Sequence, residues 1–170
     1  MEIQSGMVTA GYWTLEVYDS EGNPKYPPTR ARNLVTTQGL NYMLNTSLDA
    51  LAQSATWYCA LSSTNTAAAS TMTYAVPVFT EFTLYDEATR PTYTAASSTV
   101  ASITNSANKA VFTISATVSG PTIYSAALMS SNPKGDAATT ATLFSYALFS
   151  TSRAVVATDV LNLTYTIGAS

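Results

Sequence analysis

An aspartate, a glutamate and an arginine stand within one short stretch, Tyr85-Asp86-Glu87-Ala88-Thr89-Arg90. Paired carboxylates can do acid–base work on a glycosidic bond, but only across a cleft that holds them about 5–9 Å apart. Neighbouring carboxylates on one loop point away from each other, so the stretch reads as a solvated loop in which Arg90 pairs with a carboxylate. Cys59, between Trp57 and Leu61, is the only thiol in the chain. A nucleophilic cysteine needs a basic partner, and the sequence contains no histidine. The same lack removes Ser-His-Asp hydrolysis and histidine metal sites. One cysteine makes no internal disulfide and no zinc spacing, so Cys59 reads as a small buried hydrophobe. Asp19, Glu21, Asp136 and Asp159 fall in turn-rich segments, and no phosphate-cradling glycine loop or calcium loop occurs. The residues therefore offer no catalytic, cofactor-binding or metal-ligating set, and the expectation is a protein that is not an enzyme and carries no cofactor.

The chemistry that remains is recognition. Arg30 and Arg32 are two apart, which on a strand projects both from one face. Such a pair can anchor carboxylates of a partner protein, since a guanidinium accepts them in a fork. It can equally be the charged rim that keeps an edge strand from pairing with other chains. Tyr12, Trp13, Tyr18 and Tyr26 form an aromatic stripe nearby, suited to an interface or to stacking on a sugar, with part of it expected in the core. The candidate partner-binding residues are Tyr12, Trp13, Tyr26, Arg30 and Arg32.

Composition bounds what such a surface can meet. The chain has 170 residues, of which 10% are charged and 46% hydrophobic, with a net charge of −3. Typical soluble domains carry about 25% charged residues, and here Thr, Ser and Ala take their place. A surface this poor in cations is not built to neutralise phosphates, so no nucleic-acid partner is expected. No apolar run reaches the roughly 18 residues of a membrane span, and Met1–Met7 lack the basic start and apolar core of a signal peptide.

The elements that must position these residues follow from periodicity. Trp13, Leu15 and Val17 alternate with polar residues as in a half-buried strand, and Asp19–Pro24 is dense in turn-formers. Lys25–Arg32, with Pro27-Pro28 inside it, reads as an exposed arm or long loop. From Thr36 or Thr37, Leu40, Met43, Leu44, Leu48 and Leu51 fall on one face of a helix over about 37–52, with a threonine N-cap and a slightly weakening Gly39. Thereafter period two resumes: Thr56–Ser62, a small polar linker Ser63–Ser70, Phe82 and Leu84, Ala110–Val118, Thr122–Ser130 with Ile123, Ala127 and Met129 on one side, Leu143–Phe149, Arg153–Ala157, a turn at Thr158-Asp159, and Leu161–Ile167. About nine or ten short strands with regular turn signals predict an all-β, antiparallel sandwich or jelly roll with one helix. Residues 1–35 are assigned to an N-terminal arm or hairpin that contacts partners, and 36–170 to a single sandwich domain.

A series of phrases in order carries a resemblance. They are Asn33-Leu34-Val35-Thr36-Thr37-Gln38-Gly39-Leu40, Trp57-Tyr58-Cys59-Ala60-Leu61, Glu81–Pro91, Ile103-Thr104-Asn105-Ser106, Ala141–Ser150 and Leu163-Thr164-Tyr165-Thr166-Ile167. Over roughly 33–167 the chain resembles small tailed-bacteriophage proteins encoded among virion structural genes. The resemblance implies a structural component of the particle, made in the bacterial cytoplasm, and brings no catalytic residue with it. Its leading form is a capsid decoration (cement) protein on the outer head surface, contacting the major capsid protein and copies of itself as a dimer or trimer. The alternative is a tail or fibre component that recognises host-surface glycan.

Overall fold

The computed structural model describes residues 9–98, 100–136 and 140–169. Along the chain run β1 (Thr9–Tyr18), β2 (Thr29–Arg32), β3 (Leu34–Val35), the helix α1 (Thr37–Leu48), β4 (Tyr58–Ser62) and β5 (Glu81–Phe82). They are followed by β6 (Ser102–Thr104), β7 (Ala110–Thr113), β8 (Thr122–Met129), β9 (Leu143–Ala154) and β10 (Val160–Ala169). These strands make two antiparallel sheets, and the all-β architecture with one helix is as the periodicity predicts. In the first sheet β1 lies between β2 and β10, and the far edge of β10 is shared by β6 and β7. The second has the order β3-β9-β8-β4-β5.

The first and last strands pair along their whole length, from Thr9 opposite Ala169 to Tyr18 opposite Val160. Alternation turns Trp13, Leu15 and Val17 inward together with Leu161, Leu163 and Tyr165, each 0–2% exposed. β1 and β2 thus form a hairpin, and Leu34–Val35 passes on to pair with β9 in the second sheet. Trp13, Leu15, Ala31 and Val35 join the same hydrophobic cluster as Phe112, Phe149 and Leu161, so the core has no boundary at residue 35. Residues 1–8 of the expected arm lie outside the described residues. Lys25–Pro27 is not a free loop either. Lys25 Nζ meets the buried Asp159 carboxylate at 2.6 Å, Tyr26 OH donates to the Ala154 carbonyl, and Arg153 Nη2 donates to the Pro27 carbonyl.

Between β6 and β7 the ladder on β10 is interrupted and a side chain fills the gap. Asn105, fully buried, donates from Nδ2 to the Leu163 carbonyl and accepts the Tyr165 N–H at Oδ1 (2.7 Å). Buried backbone groups need partners, and here one carboxamide serves both sides of the break.

The helix begins where the sequence places it: the Thr36 hydroxyl accepts the Gly39 N–H at 3.0 Å. It ends earlier than 52, at Leu48, because Ala50 takes a left-handed φ of 51° that turns the chain away. The apolar stripe divides accordingly. Leu40 and Met43 pack on the core, whereas Leu44, Leu48 and Leu51 are 49%, 82% and 46% exposed. A helix lying on a sheet contacts it with only a narrow stripe, and the offsets of 4 and 8 from Leu40 fall at or beyond its edge.

Two further strand assignments change. Arg153–Ala157 is not a separate strand; β9 runs on to Ala154 through a bulge, since Ser125 opposes Leu148 while Ile123 opposes Arg153. That shift breaks the alternation along β8, so Ile123 joins Ala126 and Leu128 in the intersheet core while Ala127 and Met129 face the other side. Ala110–Val118 shortens to Ala110–Thr113, after which Ile114 leaves the ladder on β10 to bridge Tyr85. The stretch that follows the linker Ser63–Ser70 packs onto the second sheet. Met72, Tyr74 and Phe79 cover Ala60, Ala127, Met129 and Tyr146, with the Phe79 and Tyr146 rings stacked at 4.7 Å. The second sheet is therefore buried on both faces around Ala60, Ala127, Met129 and Tyr146, whereas β9 is exposed at Ser150, Thr151 and Ala154.

Gly39 reveals how tightly α1 is seated. A Cβ there would lie 2.3 Å from the Phe144 carbonyl oxygen, and backbone cannot move aside as a flexible side chain would. In an open helix Gly→Ala gains about 1 kcal/mol; here overpacking reverses the sign. We expect Gly39→Ala to destabilise by about 2–3 kcal/mol and to lower Tm by roughly 5–10 °C in a thermal melt. An unchanged or raised Tm would contradict this seating.

Candidate functional site

The outward side chains of the first sheet stand in cross-strand rows fixed by register. One row runs Arg32, Tyr12, Thr166 and Thr104 across β2, β1, β10 and β6; the next runs Arg30, Thr14 and Thr164. A third places Glu16 beside Asn162 and Val111. Directly opposite residues in antiparallel strands have Cβ atoms about 4.5–5.5 Å apart, so the rows form one continuous surface. Its centre is a field of threonine hydroxyls, with Thr166 and Thr104 joined at 2.7 Å.

Charge sits at two margins of this field. On one side Lys109 and Glu16 neutralise each other at 2.5 Å. On the other, Arg30 and Arg32 are both exposed and, among the described residues, neither makes a salt bridge. The Arg30 guanidinium lies 5.0 Å from the centre of the Tyr12 ring, which is itself 47% exposed. Cations two residues apart on a strand stand about 7 Å from each other and repel by about 0.6 kcal/mol in water. A carboxylate brought between them would be held by both, while the tyrosine face supplies apolar area.

Of the candidate residues, the structure brings Tyr12, Arg30 and Arg32 together, buries Trp13 and leaves Tyr26 half-buried and bonded within the chain. Trp13 has no exposed surface and stacks on Tyr165 at 4.3 Å, as one residue's alternation from Tyr12 requires. Tyr26 is committed to the chain itself: its hydroxyl is bonded to Ala154 and its ring lies under the Arg153 guanidinium at 5.3 Å.

The carboxylate cluster proves to be a clasp. Arg90 is 2% exposed and its fork grips Glu81, Nε to Oε1 and Nη2 to Oε2 both at 2.7 Å. Its Nη1 donates to Tyr74 OH and to the Ser131 carbonyl. Glu81 also accepts the Gly135 N–H at 2.8 Å. Asp86 is exposed and Glu87 is turned to the Thr113 N–H, so neither faces a shared cleft. Despite burial, the ion pair and hydrogen bonds hold the Arg90 guanidinium firmly charged. The groove beside it, about 360 Å³, is lined by groups already bonded to one another. Sequence spacing pointed to a carboxylate for Arg90 but not to Glu81, nine residues upstream on β5. Cys59 is fully buried and burial pushes its thiol far up, away from the reactive thiolate.

Removing one partner of a buried ion pair strands the other, at a cost of about 3–5 kcal/mol. Glu81→Gln should therefore lower the denaturant midpoint by an amount worth about 3 kcal/mol, while Asp86→Asn, at an exposed site, should change stability by less than about 0.5 kcal/mol. Equal effects from the two substitutions would contradict the clasp. No protein-family model matches the chain, and no curated protein matches it significantly.

Proposed function

We propose that the chain is a structural protein of a tailed-bacteriophage particle, acting as a decoration protein bound to the outer surface of the head. The observation that carries this reading is the outer face of the first sheet: a neutral hydroxyl field with Tyr12, Arg30 and Arg32 at one margin. Such a face suits many modest contacts rather than one chemical event. Its two guanidinium groups, which make no salt bridge among the described residues, call for carboxylates on the major capsid protein. The resemblance to small virion proteins supports the same reading. Repetition by symmetry then supplies the strength, because each bound copy meets the next at a high effective concentration.

The half-exposed Tyr12 ring beside hydroxyls also suits stacking on a sugar, which is the ground for the second reading, a tail component that binds host-surface glycan. Quantitative mass spectrometry of separated heads and tails distinguishes the two. Hundreds of copies per head, in fixed ratio to the major capsid protein, are expected; a few dozen confined to tails would overturn the decoration reading. On heads stripped of the protein, the double variant Arg30→Glu, Arg32→Glu should rebind about 100-fold more weakly, two charge reversals at about 1.4 kcal/mol each. The wild type should in turn lose affinity as salt rises.

A further inference from the structure

At the end of the molecule where the β1–β10 ladder begins, an apolar groove of about 340 Å³ opens between the two sheets. Met43 on α1 and Phe144 on β9 stand on one side of it, with Ile103 on β6 and Ile167 and Gly168 on β10 on the other. Among the described residues that line it, none is charged. The position of β1 opposite Ile167 is Gly11, which has no side chain to place there. The chain enters β1 at the same level. Thr9 pairs with Ala169 and Ala10 with Gly168, so Val8 stands one residue ahead of a strand that borders the groove.

We infer that the occupant of this groove is the chain's own segment Met1–Val8, folded back so that Met7 and Ile3 lie in it. Position decides the occupant. β1 buries its odd-numbered residues from Gly11 to Val17, and Met7 and Ile3 hold the same parity upstream. Gly6 precedes Met7 and permits the chain to reverse there. Eight residues reach at most about 26 Å, which keeps the segment at this end of the molecule. Composition and volume agree with position. Met1, Ile3, Met7 and Val8 are apolar, and Glu2 alone in the segment is charged. An apolar cavity of about 150 Å³ takes one benzene-sized group, so the groove has room for about two side chains. Methionine, with its flexible thioether, suits an irregular gap.

Attachment supplies the affinity. A segment tethered beside the groove meets it at an effective concentration of about 1 mM or more. A fit too weak to hold a free apolar molecule is then enough to hold the segment. Tyr12, Arg30 and Arg32 take no part in this contact, which stands whatever they bind. It draws the first eight residues of the expected partner-contacting arm back to the chain's own core.

NMR of the full chain, labelled at its methionine methyl groups, tests the contact. Of Met1, Met7, Met43, Met72 and Met129, Met7 should show nuclear Overhauser contacts to the Ile103 and Ile167 methyls and an upfield shift from the Phe144 ring. A Met7 methyl at the shift of free methionine, without those contacts, would overturn the inference. Contacts that appear only between chains, in a mixture of labelled and unlabelled copies, would overturn it by giving the segment to a neighbour. Met7→Lys should lower Tm by about 4–8 °C, the loss of one buried side chain. The same variant should raise the fluorescence of added N-phenyl-1-naphthylamine several-fold as the groove opens to the dye. Gln4→Lys, which adds the same charge at the opposite parity, should change neither. A wild type that binds the dye as strongly as Met7→Lys, or equal effects from the two substitutions, would overturn the placement of Met7.

Discussion

The ladder between β1 and β10 is the constraint on which the rest of the molecule depends. It joins the first described strand to the last, and its register decides which side chains are core and which are surface. A slip of one residue would carry Trp13, Leu15 and Val17 to water and bring Tyr12, Thr14 and Glu16 inside. The Trp13–Tyr165 stack, the Asn33 bond to Tyr165 OH at 2.8 Å and the Asn105 bridge all meet Tyr165, which this pairing holds in place. A ladder between chain ends also has the longest loop to close, which slows its formation.

Around that ladder the protein handles its few charges economically. Three ion pairs hold buried or half-buried charges, Arg90 with Glu81, Lys25 with Asp159 and Lys109 with Glu16, while Arg153 and Lys134 are held by backbone carbonyls. Each pair joins segments far apart in sequence or folds a loop back on its strand, so the pairs act as fasteners. The Asp19 carboxyl is held below the usual range by the Asn23 backbone N–H, a local turn device. Against this pattern Arg30 and Arg32 on β2 stand out, since among the described residues they are exposed and make no salt bridge.

Strands with one wet face were legible in the sequence, because β1 and β10 bury one side and expose the other, which period two reports directly. The helix start was legible for a similar reason, as Thr36 is a local device acting three residues ahead. What was hidden depends on distant contacts. Ile123 and Ala127 have the same sequence parity, and only a bulge set by β9 separates them. The covering segment with Met72, Tyr74 and Phe79 has no period because it follows the contour of a sheet already formed. Leu44 and Leu48 share helical spacing with Leu40 and Met43, and spacing alone cannot distinguish a core stripe from its exposed shoulder. In the candidate site, Arg30 and Arg32 were legible as same-face neighbours. The exclusion of Trp13 followed from alternation once Tyr12 was known to face outward, whereas the loss of Tyr26 required the Ala154 contact.

The pairing of Thr9 with Ala169 places the two ends of the described chain side by side at one edge of the molecule. Tension applied between those ends would open the ladder one residue pair at a time, as a zipper opens, with little resistance at any step. Tension borne by the outer face of the first sheet would instead be shared across β2, β1, β10 and β6 at once. The fold is therefore mechanically anisotropic: weak when pulled by its ends and strong when pulled by its face.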